Sequence, residues 1–132
     1  MLAPSPKPKT RPKLDLAPKP KRAKKLDLAP IRPLLDLIRA SWDPHQVWLF
    51  GSRARGTATP QSDWDLLVVV PDDLAPALED PLVPWRLARQ ARARADIIPC
   101  AERDFEAASE VPNLLSYEAK HCGILLYERA TL

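Results

Sequence analysis

Glycine is scarce in this chain: there are three in 132 residues. Histidine and cysteine are scarcer, at two each, and methionine occurs once. Two cysteines cannot build a disulfide framework, so a stapled secreted scaffold is excluded and reduced thiols in a cytoplasmic protein are expected. Neither Cys100 nor Cys122 has ligand spacing to a histidine, apart from the adjacent His121, and adjacent residues on a helix chelate poorly. No zinc site is expected. There is no run of about eighteen apolar residues, which excludes a membrane-spanning helix. No apolar stretch follows the first basic residues, so no secretory signal is expected.

Proline is abundant, with 16 copies, many of them early. Residues 1–25 carry nine Lys or Arg and one acid, Asp15, for a net charge of +8. Residues 26–132 carry 11 basic and 16 acidic groups, a net of −5. The chain's overall charge of +3 therefore hides a basic arm on a mildly acidic body. Prolines 4, 6, 8, 12, 18 and 20 block a regular helix or central strand, so residues 1–30 are expected to form an extended or disordered arm. Within it Lys13-Leu14-Asp15-Leu16-Ala17-Pro18 recurs as Lys25-Leu26-Asp27-Leu28-Ala29-Pro30. Two copies are too few for a solenoid. Local duplication accounts for them; weak, charge-steered contact with nucleic acid or an acidic partner is the alternative. Residues 31–132 are expected to be one compact domain.

Two of the three glycines, Gly51 and Gly56, fall in the stretch QVWLFGSRARGTATPQSDWDLLVVV, residues 46–70. Gln46–Phe50 is apolar, β-branched and aromatic, and reads as a strand. It stops at Gly51-Ser52, where glycine allows close approach of a phosphate and a following helix start offers free N–H groups. The second strand runs from Trp64 to Val70. Asp63 and Asp65 lie two apart, so on a strand their carboxylates share a face. Like charges side by side repel, and aspartate is a poor strand former. A hard divalent cation between them would remove both objections.

Elsewhere, residues 31–42 read as a helix with Pro33 in its first turn and an apolar stripe of Leu34, Leu35, Leu37, Ile38 and Trp42. Prolines 76, 81 and 84 limit residues 74–84 to short helical turns. A helix is expected over 85–93, with Arg86, Arg89 and Arg92 on one basic face, read as solvated, a surface for the polyphosphate or an acidic partner being the alternative. Residues 95–99 read as a third strand, 104–109 and 112–122 as helices, and 124–127 as a last strand. Gly123 fits a helix stop, and His121 a favourable partner for a helix C-terminus. The fold expected is α/β (α+β in stricter schemes): a small mixed sheet with helices mainly on one face.

Gly51-Ser52-Arg53-Ala54-Arg55-Gly56, followed by Ser62-Asp63-Trp64-Asp65-Leu66 between two apolar strands, resembles the nucleotidyltransferase superfamily that includes DNA polymerase β. It is most similar to the minimal, MNT-type branch paired with HEPN toxins. Either half of this pattern is common by itself; the ordered pair is specific. The ending Gly123-Ile124-Leu125-Leu126-Tyr127-Glu128 is also family-like, and the resemblance spans about residues 31–129.

The resemblance implies the polymerase β-like fold and transfer of a nucleoside monophosphate, AMP from ATP, onto a hydroxyl with release of pyrophosphate. It implies that Asp63, Asp65 and Asp96 hold two Mg²⁺ ions, with Asp96 in the Asp96-Ile97-Ile98 context as third carboxylate. Gly51 and Ser52 would hold the β- and γ-phosphates. Arg53 or Arg55 would neutralise phosphate charge, unless Arg55 pairs structurally with Asp63 or Asp65. The implied acceptor is a tyrosine of a cognate HEPN toxin, which the chain would counter as an antitoxin. The alternatives are transfer to a small molecule such as an aminoglycoside, whose enzymes usually carry a further helical domain, and a non-catalytic toxin-binding module.

Overall fold

The computed structural model describes residues 26–130. The basic arm expected over residues 1–30 therefore lies mostly outside the described residues. Its last five residues are described, and Leu26 and Leu28 pack against the core. Asp27 Oδ1 accepts a hydrogen bond from the Ala29 N–H at 3.0 Å, opening a 3-10 turn over Ala29–Ile31.

Helix α1, Arg32–Trp42, follows with Pro33 in its first turn, where a missing N–H costs nothing. It buries Leu34, Ile38 and Trp42 along one stripe, and ends where Asp43 turns left-handed at φ 43°. Strand β1 is Gln46–Phe50, the short helix α2 is Ser52–Arg55, and strand β2 is Trp64–Val70. A 3-10 segment over Asp72–Glu79 leads to helix α3, Leu82–Gln90. Strand β3, Ala95–Ala101, is followed by helices α4, Glu102–Ala108, and α5, Leu115–Cys122, and by strand β4, Ile124–Glu128.

The four strands form one mixed sheet in the order β3-β2-β1-β4. β1 is antiparallel to β2 and β4, whereas β2 and β3 run parallel. β2 is central and nearly all apolar, and side chains of both parities are buried. Trp64, Leu66, Val68 and Val70 join α1 and α3 in the larger core cluster. Leu67 and Val69 face the other way, toward Phe105 of α4 and Ala119 of α5. α1 and α3 thus share one face and α4 and α5 cover the other, so helices pack on both faces of the sheet rather than mainly on one. Burying each of the fully buried leucines stabilises the fold by about 1.5–3 kcal/mol.

Local differences from the sequence reading have physical causes. α3 starts at Leu82 rather than at residue 85, because Pro84 sits in its first turn and the Asp80 carboxylate accepts from the Leu82 N–H at 2.9 Å. β3 runs two residues past the expected 95–99, through Pro99, because it is an edge strand and can spare that N–H. The helix expected over 112–122 begins at Leu115, and that expected over 104–109 begins at Glu102. Gly123 is not a left-handed stop: its φ is −90°. Glycine is required there because a methyl would overlap the carbonyl oxygens of Ala119 and Leu49. His121 stands near the end of α5, where its ring packs on Tyr117 and its Nε2 lies 3.2 Å from the Ser109 carbonyl, tying α5 to the end of α4.

Candidate active site

The site forms where β1 ends beside the start of β2. Phe50 pairs with Asp65 across the antiparallel ladder, so the next residue, Gly51, lies against the Asp65 side chain. The contact is close enough that a Cβ on Gly51 would overlap Asp65 Oδ2. Gly51 has φ 75° and ψ −156°, a conformation essentially restricted to glycine. The chain bends there into α2, with the Gly51 carbonyl accepting from the N–H groups of Ala54 and Arg55 at 3.1 and 3.0 Å. The Gly-Ser turn and the second motif aspartate are therefore in direct contact.

β3 adds the next carboxylate. In the parallel register Asp65 is opposite Asp96, and both belong to the sheet face that carries Leu67 and Ile98. Asp63 lies just ahead of β2, 3.6 Å from the Arg94 guanidinium; both groups are well exposed, so this ion pair is weak. The charges are felt at Asp65. Burial pushes its carboxyl above the ordinary aspartate range, and the charges of Asp96 and Asp63 push further; Arg55 opposes them and Glu118 adds to the rise. A carboxylate held among like charges is poised to take a cation.

The donor set suits a hard divalent ion such as Mg²⁺, which takes one or two carboxylates and completes its octahedron with phosphate oxygens and water. Among the described residues no group of three or more His, Cys, Asp or Glu side chains is placed to hold a metal ion by itself.

The two arginines of the first motif part company. Arg53 lies over the Trp64 ring at 4.5 Å and donates to the carbonyls of Ser62, at 2.9 Å, and Pro60, at 3.4 Å. It holds the loop between the two motifs in place. Ser62 closes the same loop by accepting from the Thr59 N–H at 2.8 Å. Arg55 points the other way, to an exposed ion pair with Glu118 at 3.8 Å. Neither Asp63 nor Asp65 is its partner there.

Arg55 and Glu118 border an open cleft of about 700 Å³ that starts at Gly51 and runs between β1 and α5, past Leu114, Leu115 and Tyr117. Sequence reasoning missed Tyr117, Glu118 and Arg94. The helix expected over residues 112–122 already put Tyr117 and Glu118 on one element, but nothing in the sequence says which strand that helix crosses.

The strand–turn–helix is followed by an Asp-x-Asp strand, with a third aspartate in register beside it on an α/β sheet. A model of the nucleotidyltransferase domain matches residues 31–123. The chain belongs to the nucleotidyltransferase domain family and is a nucleotidyltransferase. Among solved structures it is similar to one described as a toxin–antitoxin with AMP-PNP, with 24% identity, a TM-score of 0.52, and coverage of 74% of this chain and 72% of that one. A second, provisionally described as a nucleotidyltransferase from Sulfolobus solfataricus, has 20% identity, a TM-score of 0.46, and coverage of 73% and 75%. The first likeness is one of fold. No curated protein sequence matches the chain. Among the described residues no helix is long and apolar enough to cross a membrane.

Proposed function

We propose that the chain transfers AMP from ATP to a tyrosine hydroxyl of a HEPN-type toxin partner and so acts as its antitoxin in the cytoplasm. The observation that carries this reading is the contact of Asp65 with Gly51, with Asp96 in register beside it. It puts an acidic pair at the bend that a triphosphate would approach. The relative of the same fold that was crystallised as a toxin–antitoxin with AMP-PNP supports an adenine nucleotide as donor and a toxin as partner.

In this reading Asp63, Asp65 and Asp96 hold two Mg²⁺ ions together with the phosphate oxygens. When bound, the metal supplies Lewis-acid stabilisation of the charge that builds on the phosphorus and on the leaving pyrophosphate. The N–H groups at the Gly51-Ser52 bend and the Ser52 hydroxyl hold the β- and γ-phosphates. Arg55 exchanges its exposed pair with Glu118 for a phosphate, a small loss because such pairs are worth about 0–1 kcal/mol. Arg53 acts through the loop. The acceptor oxygen attacks the α-phosphorus, the bond to the bridging oxygen breaks, pyrophosphate leaves, and an Asp96 carboxylate oxygen takes the acceptor's proton. The cleft beside Tyr117 and Leu114 seats the adenosine.

The test is to incubate the protein with ATP, Mg²⁺ and the product of the neighbouring gene, and to map modified residues by mass spectrometry. AMP on a partner tyrosine, lost with Asp65→Asn, is the expected result. A tight complex with an unmodified partner, indifferent to Asp63→Asn, would instead make the chain a toxin-binding module.

A further inference from the structure

α3 exposes an unusual stripe. Trp85 is 56% exposed and Leu82 51%, although such large apolar side chains are ordinarily placed in a core. Arg86 and Arg89 of α3, and Arg92 and Arg94 after it, are exposed, and the Arg89 guanidinium lies 5.1 Å from the centre of the Trp85 ring.

Trp85 is also the wall between two grooves. One, of about 360 Å³, runs along β3, the edge strand of the sheet; Pro81, Pro84 and Trp85 face Asp96, Ile98 and Pro99 across it. The other, of about 270 Å³, is bordered by Trp85, Arg89, Arg94 and Asp63. Each groove is thus bordered by one of the aspartates of the proposed site. The 700 Å³ cleft borders Gly51 and shares no lining residue with either groove. Donor and acceptor would then occupy separate surfaces.

We infer that the Trp85 grooves are the acceptor-docking surface, and that they take an extended protein segment with a tyrosine among acidic neighbours. The inference rests on the transferase reading and adds to it where the acceptor sits and what selects it. The apolar groove fits the body of an aromatic side chain and delivers its hydroxyl at Asp96. An edge strand is a ready partner for an extended backbone. Arg89 and Arg94, which border the second groove, complement acidic flanks and repel basic ones, which makes charge a selector of partners. A single-stranded nucleic acid would also meet arginine and tryptophan here, but the long groove is walled by proline and aliphatic groups, which offer phosphates no partner.

The test uses the full chain and three fluorescent probes: a short tyrosine peptide flanked by glutamate and leucine, its lysine-flanked counterpart, and an oligouridine. Binding is read by anisotropy and transfer by label from ATP. The acidic peptide should bind best. Trp85→Ala should weaken it by about tenfold or more, as removal of a central aromatic anchor does. Arg89→Glu should shift preference toward the lysine-flanked peptide, and both variants should bind Mg²⁺–ATP as the native protein does. Asp65→Asn should bind the acidic peptide normally and transfer nothing. Peptide binding that depends on Trp85 but never leads to label on any probe would sustain the surface and defeat the transferase reading. Binding indifferent to Trp85 and Arg89, or tightest for oligouridine, would overturn the docking surface whatever the transferase activity.

Discussion

Replacing Gly51 with alanine separates the stability of the bend from its chemistry. Two effects follow from the geometry. The backbone, at φ 75° and ψ −156°, is nearly closed to alanine and costs about 1–3 kcal/mol to hold. For a domain near one hundred residues that lowers Tm by roughly 10 °C. The new methyl also overlaps Asp65 Oδ2, and the end of a side chain gives way more easily than backbone. The carboxylate is therefore displaced, and a shift of about 1 Å in a reacting group costs about 10²-fold in rate. Gly56→Ala is the matched control. Gly56 is left-handed too, at φ 81°, but a methyl there meets nothing within 4 Å. It should cost about 1–2 kcal/mol and leave the rate at low temperature within about twofold. Thermal unfolding by circular dichroism gives the first quantity and pyrophosphate release from ATP the second. If Gly51→Ala retained the activity of Gly56→Ala, Asp65 would have no place at the reacting centre.

Further consequences can be checked in the same assays. Asp65→Asn should abolish transfer yet raise Tm in metal-free buffer at neutral pH. The Asp65 carboxyl is raised above its unfolded-state value, so its ionised form weakens the fold as pH climbs through the folded-state value, and asparagine removes that loss. By carboxyl NMR, Asp96→Asn should bring the Asp65 titration down toward the ordinary range, since a like charge beside it has gone. Saturating Mg²⁺–ATP at about a hundredfold over Kd should stabilise the native protein by about 2.7 kcal/mol and leave Asp65→Asn unmoved. Arg53→Ala should lower stability by about 2 kcal/mol, from the lost stacking on Trp64 and the bond to the Ser62 carbonyl, and Lys should not restore it.

Legibility followed the range of the interactions. β1 and β2 could be read to the residue because their apolar runs are bounded by Gly51 and by the Ser62-Asp63 turn. Asp63 and Asp65 could be singled out because two carboxylates side by side at a strand start call for a reason, whereas Asp96 was legible only through the family resemblance. Whether Asp96 faces Asp65 depends on the parallel register of β3, which the sequence does not print. The fates of the arginines were illegible for the same reason. Arg53 is bound by a ring eleven residues on and Arg55 by a helix on the far side of the cleft. Pro84 and Pro99 misled because a proline ends an element only where its N–H is needed. Gly123 was assigned to a conformation when its reason is a close approach of two carbonyls.

The most direct measurement compares two labels. With Mg²⁺, the partner protein and ATP labelled at either the α- or the γ-phosphate, the account predicts label on the partner from the α position alone, and none with Asp65→Asn. Label carried from the γ position, or transfer undiminished without the Asp65 carboxylate, would contradict it.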